Sequence, residues 1–328
     1  MKTVTPNVKP HRRNLPLKVG TRGSPLARQQ TATFLGLLRQ ICPVLGRTEM
    51  FEEHIITTTG DAVQNRPLAE IGGKGLFAKE IHEALAEGRI DFAVHSLKDL
   101  ETTLPEGISL ACTLKREDAR DVLILPPGVT SSDPADPYGA LATGARVGSA
   151  SVRRQAQMKY ARPDLQFGLL RGNVGTRLDK VAAGEMDATL LAYAGLRRLG
   201  LADRASVVLS PEQMVPAACQ GIVGITVRTA DTSLFELLAA IEDQEAKAVS
   251  RAERALLMAL DGYCRTPIGG YARLLEDGSL HLTGLVARAD GTFLLKRSAV
   301  GAVADAEAMG RELGLSLKAD SPADIFAP

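Results

Sequence analysis

The sequence predicts an α/β protein extended by a smaller α+β part toward its C-terminal end. At 328 residues the chain exceeds what one hydrophobic core usually supports, so two or three domains are expected. From Leu17 onward, short apolar strands alternate with amphipathic helical patterns, which implies sheets covered by helices. Beyond residue 260 the alternation gives way to apolar runs joined by Asp-Gly turns, the mark of antiparallel hairpins.

Taken in order, Met1 to Pro16 is polar, lacks an apolar signal core and reads as a lead-in. Leu17 to Val19 is a strand, and Pro25 to Arg39 a helix, with Ser24 as N-cap and Pro25 in the first turn. Phe51 to Thr57 is a strand. Leu76 to Ala86 is a helix with Phe77, Ile81 and Leu85 on one face, closed by Gly88. Ile90 to Val94 is again a strand. Leu110 to Leu114 and Val122 to Leu125 flank a charged crossover, Lys115 to Asp121, and the Pro-, Asp-, Ser- and Gly-rich stretch 126–144 is a surface loop. Then a β-α-β-α-β unit begins: strand 145–148, helix to Tyr160 capped by Ser149 or Ser151, strand 165–170, helix 174–183, strand 188–193. That order predicts a parallel sheet. Gln213 to Cys219 looks helical, Ile222 to Arg228 is a strand, and Leu234 to Ala259 reads as one long helix. Apolar runs at 271–275, 280–287 and 293–300 form the hairpins, and a last helix covers 304–313.

Composition narrows the function. A 45% hydrophobic and 23% charged chain is ordinary for a globular protein, and no apolar run approaches the roughly 20 residues of a membrane span. Cys42, Cys112, Cys219 and Cys264 form no Cys-x-x-Cys pair, which argues against a metal site and a disulfide framework and fits a reducing, cytoplasmic setting. Net charge is only +1, aromatics are 4% and Trp is absent, so no nucleic-acid partner is expected. Charge is concentrated, however. Between Arg146 and Lys180 stand eight Lys or Arg residues and two acids. Arginine suits forked recognition of carboxylates and phosphates, so small anionic ligands are implied.

Five features carry chemistry. Ile90 to Val94 runs into His95-Ser96-Leu97-Lys98-Asp99, and strands of open α/β sheets present ligand groups at their carboxyl ends. Thr21-Arg22-Gly23-Ser24-Pro25 is either an anion site at a helix start or an ordinary capped helix. Gly72-Gly73-Lys74-Gly75 lacks the Ser or Thr that a nucleotide-triphosphate loop needs after its lysine, and reads instead as a charged lid hinge. Arg153-Arg154 opposes the macrodipole in a first helical turn, which is costly unless an anion sits there; with Arg171 and Arg177 it forms a polycarboxylate clamp. Cys264, in a turn-rich segment beside Arg265, is either an exposed thiol or a small buried hydrophobe.

Six motifs then occur in a telling order: Thr21-Arg22-Gly23-Ser24-Pro25-Leu26-Ala27, Gly72-Gly73-Lys74-Gly75-Leu76-Phe77, Val94-His95-Ser96-Leu97-Lys98-Asp99, Val147 to Gln155, Leu170-Arg171-Gly172-Asn173-Val174-Gly175-Thr176-Arg177-Leu178, and Cys264-Arg265-Thr266-Pro267-Ile268-Gly269. Together they resemble the porphobilinogen deaminase (hydroxymethylbilane synthase) family, from about Leu17 to beyond Tyr271. The resemblance implies two α/β domains like type 2 periplasmic binding proteins, residues 15–114 with 216–240 and residues 120–215, plus a smaller α+β domain, residues 244–328. It implies a dipyrromethane cofactor in thioether linkage to Cys264, and Asp99 as the catalytic group. Lys98, Ser96, Arg153, Arg154, Asp61 and Ser151 would contact that cofactor; Arg22, Ser24, Arg171, Arg177, Lys74 and Phe77 would contact substrate. The implied reaction adds four porphobilinogens head to tail, releases ammonia at each step and frees hydroxymethylbilane by hydrolysis. Each pyrrole brings two carboxylates, which accounts for an arginine band in a near-neutral protein. Porphobilinogen and linear pyrrole intermediates are the expected partners, with no membrane or nucleic acid, and a monomer is expected. Glu70, Glu101, Ala150, Cys219 and Arg265 depart from the family's usual residues. The alternative is a non-catalytic, two-lobed anion-binding protein.

Overall fold

The computed structural model describes residues 15–63, 75–130, 133, 135–261 and 266–326. Its first strand, β1 (Leu17–Thr21), leads into α1 (Pro25–Ile41), whose first turn is capped by Ser24 Oγ accepting from the Ala27 amide. There follow β2 (Phe51–Ile55), α2 (Thr59–Ala62), α3 (Lys79–Ala86), β3 (Phe92–Ser96), a short turn at Leu97–Asp99 and β4 (Ile108–Thr113). The next part comprises β5 (Asp121–Ile124), β6 (Arg146–Gly148), α4 (Val152–Ala161), β7 (Gln166–Gly168), α5 (Val174–Ala182), β8 (Ala188–Ala192), α6 (Tyr193–Arg198) and β9 (Val207–Val208). After β10 (Val223–Arg228) come α7 (Thr232–Ala239), α8 (Gln244–Ala259), β11 (Ile268–Leu274), β12 (Leu280–Ala287), β13 (Leu294–Gly301) and α9 (Ala306–Ala319).

These strands make three sheets. The first has the order β2-β1-β3-β10-β4 and the second β7-β6-β8-β5-β9. In each, three parallel strands meet a fourth that runs antiparallel: β10 against β3, and β5 against β8. The β-α-β-α-β unit is parallel as expected, in the order β7-β6-β8, and the second sheet becomes mixed only where β5, from before that unit, pairs antiparallel with β8, and β9 with β5. β10 returns to the first sheet after the second is complete, so the chain crosses between sheets twice. The third sheet, β11-β12-β13, is antiparallel as its hairpin turns require.

Packing follows the periodicity. One face of the first sheet buries Val19, Phe92 and Ile225 against Phe34 and Leu38 of α1 and Leu234 and Leu238 of α7; the other buries Ala93 against Ile81 and Leu85 of α3. The second sheet likewise has two cores, around Val147, Met158 and Leu190 and around Val122, Leu178 and Leu196. In the third, α8 and α9 cover Leu282 and Val286. Gly310 lets α9 lie close on α8, since a Cβ there would stand 2.1 Å from the Ala252 carbonyl oxygen.

Two helical expectations are corrected. Gln213 to Cys219 is a run of turns, because Pro216 interrupts any amide ladder and Cys219 takes a left-handed φ of 62°. The helix expected over 234–259 is two, because Asp243 starts α8 afresh, its carboxylate accepting from the Ala246 amide at 2.8 Å. No helix among the described residues is long and apolar enough to cross a membrane.

Candidate active site

The chemistry-bearing residues gather where the carboxyl ends of the first two sheets' parallel strands face one another. At the end of β3, Leu97 and Leu100 are buried in the core shared with α8, so the two residues between them, Lys98 and Asp99, are pushed outward. Asp99 keeps 32% of its side-chain surface exposed, enough to be reached by a ligand. His95, one strand position back, is buried and its Nε2 lies 3.0 Å from Thr226 Oγ1. Ser96 Oγ accepts from Gln30 Nε2 of α1 at 2.9 Å. These bonds tie the approach to Asp99 to two neighbouring elements.

Arg22, at the end of β1, is fixed from three sides. Its Nε donates to Asp61 Oδ2 at 3.0 Å, a second guanidinium nitrogen pairs with Asp61 Oδ1, and the guanidinium lies 4.2 Å from the Phe77 ring centroid. Gly60 makes that stack possible, because a Cβ there would come within 2.3 Å of the Phe77 ring. Thr58 Oγ1 donates to Asp61 at 2.8 Å. Burial alone would lift the Asp61 carboxyl, but the Arg22 and Thr58 bonds outweigh it and hold it below the ordinary carboxylate value. A remaining nitrogen of Arg22 stands 3.8 Å from Asp99 Oδ2.

Across from these, Ser151 caps α4, and Arg153 and Arg154 in its first turn do have an anion between them. That anion is Asp121, the first residue of β5. Its Oδ2 accepts from Arg153 Nη1 at 2.7 Å, and its Oδ1 from Arg154 Nη2 at 2.7 Å. Arg153 also donates to the Val215 carbonyl and Arg154 to that of Leu190. Asp121 is fully buried, yet the two guanidinium charges hold it far below the usual carboxylate range. Arg171 reaches over from the second sheet, donating to the carbonyls of Gly60 at 3.0 Å and Val63 at 2.7 Å. Arg177 Nε donates to the Gly172 carbonyl, and burial beside Arg154 and Arg171 pushes its guanidinium down to about 10. Lys98 keeps surface exposed, but its ammonium is hemmed in by Asp99, Asp121, Arg153 and Arg154 and donates to Gln220 Oε1 at 3.2 Å. That enclosure, opposed by Asp99 and reinforced by Arg154, pushes its ammonium down to about 8.

Six cations thus face three carboxylates (Asp61, Asp99 and Asp121), and burial lowers the pKa of four of those cations, Lys98, Arg153, Arg171 and Arg177. Such a set calls for a polyanion, and a ligand with two carboxylates per pyrrole ring satisfies it. Lys74 and Cys264 lie outside the described residues, as do Glu70 and Arg265. The free thiols of Cys112 and Cys219 are buried and pushed up to about 12, consistent with inert small hydrophobes. Sequence reasoning passed over Thr58, Gln30, Asp121 and Gln220. Of these Asp121 had a signal, an acid heading the otherwise apolar strand Val122-Leu123-Ile124.

Residues 17–236 match the family model for the dipyrromethane cofactor binding domain of porphobilinogen deaminase. The chain belongs to the porphobilinogen deaminase family. Residues 246–319 match that family's C-terminal domain. The chain is 46% identical to the porphobilinogen deaminase of Nitrobacter winogradskyi, covering 92% of each chain. It is 44% identical to that of Paracoccus denitrificans, covering 95% of this chain and 96% of the other. A chloroplastic porphobilinogen deaminase from rice, Oryza sativa subsp. japonica, is 44% identical over 94% of this chain and 85% of its own. Among solved structures, the BvgS VFT2 domain of Bordetella pertussis covers 72% of this chain and 92% of its own, at 16% identity and a TM-score of 0.40. As a porphobilinogen deaminase, the chain joins four porphobilinogens head to tail on a dipyrromethane cofactor, releasing ammonia and then hydroxymethylbilane by hydrolysis. The non-catalytic alternative gains no support from these relatives.

Proposed function

We propose that Asp99 is the group that handles protons and charge in each condensation. Arg22, Ser24, Arg171, Arg177, Lys74 and Phe77 receive substrate. Lys98, Ser96, Asp61, Ser151, Arg153 and Arg154 line the place of the dipyrromethane, attached at Cys264. The observation that carries this reading is Asp99 itself, a carboxylate thrust into the cleft by its buried neighbours and left reachable there.

Loss of ammonia breaks the aminomethyl C–N bond of porphobilinogen and leaves a delocalised pyrrolic cation. A carboxylate facing that cation lowers its energy, and the same group holds or moves the proton at the departing nitrogen. Arg22 is bound to Asp61, so it offers its remaining nitrogen to a substrate carboxylate without closing on Asp99. Phe77 supplies an apolar wall beside that cation. When bound, dipyrromethane supplies the pyrrole primer on which the chain grows.

The same reading divides the chain into domains at 15–114 with 216–240, 120–215 and 244–328, a division supported by three separate sheets. It also makes the protein a cytoplasmic monomer. The free thiols of Cys42, Cys112 and Cys219 suit a reducing compartment.

Intact-mass measurement of the purified protein and of Cys264→Ala tests the attachment. The parent carries a dipyrromethane adduct and the variant neither adduct nor activity; aldehyde-reagent colour for bound pyrrole in Cys264→Ala refutes it.

A further inference from the structure

Gln220 lies in the second crossing between the first two sheets and is completely buried. Its side chain touches both halves of the cleft. Nε2 donates to the Ala119 carbonyl at 2.7 Å and to Asp121 Oδ1 at 3.0 Å, while Oε1 accepts from Lys98 Nζ at 3.2 Å. Chemistry sets the amide's orientation, because an ammonium only donates and a carbonyl only accepts. The backbone beneath is equally fixed: the Gln220 carbonyl accepts from Arg116 Nε at 2.9 Å, and Arg116 is locked on buried Glu253 at 2.6 Å.

A neutral amide is therefore interposed between an ammonium and a carboxylate that attract each other. The charged groups facing Lys98 are Asp99 beside it, Asp121 from β5, and Arg153 and Arg154 from α4. Asp121 already serves two arginines. Were Lys98 to join them, the cleft would lose a cation next to Asp99 and Asp121 would hold three. We propose that Gln220 is a positioning residue that aims the Lys98 ammonium into the cleft beside Asp99 and bars it from an ion pair with Asp121. In that position Lys98, with its ammonium near 8, is a cation that binds ligand carboxylates and also yields a proton close to neutrality. This rests on the placement of Lys98 in the ligand cleft.

The test reads Lys98 directly. The full-length, cofactor-loaded protein is treated with acetic anhydride across neutral to alkaline pH, and acetylation of the Lys98 peptide is followed by mass spectrometry. The midpoint of the loaded parent is the reference. Gln220→Ala opens the way to Asp121, so the midpoint rises by about one unit or more, a roughly fivefold loss of free amine at the parent midpoint. Gln220→Met keeps the barrier but removes the acceptor, and its midpoint does not rise. A folded, loaded Gln220→Ala whose midpoint is unchanged or lower overturns the proposal, as does a Gln220→Met that rises equally. If Gln220→Ala does not load cofactor, Gln220→Asn decides: its shorter amide cannot span both partners, so a rise supports the proposal and an unchanged midpoint refutes it. Since Lys98 is read without turnover, failure here is distinct from failure of the Asp99 assignment, which only turnover reports.

Discussion

Arg22 stands 3.8 Å from Asp99, beyond hydrogen-bond reach but well within Coulombic range. The separation is maintained because Asp61 holds two other guanidinium nitrogens of Arg22. One cation thereby supports the exposed carboxylate without occupying it.

Replacing Arg22 by Leu removes that support together with a partner for substrate carboxylates. A charge-assisted hydrogen bond contributes about 1.5–3 kcal/mol, so KM for porphobilinogen should rise about tenfold or more. Steady-state kinetics on cofactor-loaded protein checks this. An unchanged KM would remove Arg22 from the substrate's path.

Asp121 has a different duty, because it neutralises two buried arginines. Asp121→Asn leaves them facing each other without an anion, which should cost about 3–5 kcal/mol of stability. Urea unfolding would show a lowered midpoint, and an unaltered one would contradict the ion triad. Arg153→Leu or Arg154→Leu should in addition impair cofactor assembly, read by intact mass.

His95 makes stability depend on acidity. Burial, with smaller contributions from His82 and Arg22, lowers its imidazole from 6.5 to about 3. The folded value lies below the unfolded one, so the unfolded chain binds the extra proton between them. Stability from this neutral imidazole is complete above about pH 6.5 and is lost as pH falls toward 3. Each proton contributes a slope of about 1.4 kcal/mol per pH unit in that window. His82, also lowered by burial, adds to it. Denaturation of His95→Gln across this range should show a slope smaller by one proton. An identical slope would mean His95 does not titrate this way.

Much of this was legible in the sequence, for identifiable reasons. Ser24 was placed at a helix start by capping chemistry, as was Ser149 or Ser151, and Ser24 and Ser151 each do accept from a first-turn amide. Lys98 and Asp99 were legible because an apolar strand ends in polar groups. What stayed hidden depends on long-range pairing. The anion demanded by Arg153 and Arg154 was expected from a bound polycarboxylate, but the one between them is Asp121, 32 residues away from Arg153, which arrives only when β5 joins β8. The antiparallel entry of β10 was hidden likewise, since its partners come from more than a hundred residues earlier. Gln220 had no local signal, as its side-chain partners Lys98, Ala119 and Asp121 lie about a hundred or more residues earlier.

The central claim is that Asp99 does the chemistry, and single-turnover elongation by cofactor-loaded Asp99→Asn tests it most directly. Asparagine keeps the size and hydrogen bonding of the side chain but removes the charge that faces the pyrrolic cation and the group that moves its protons. The account predicts substrate still bound and elongation slowed by about 10²–10⁴. A variant that elongates at more than about a tenth of the parent rate would place the catalytic role elsewhere.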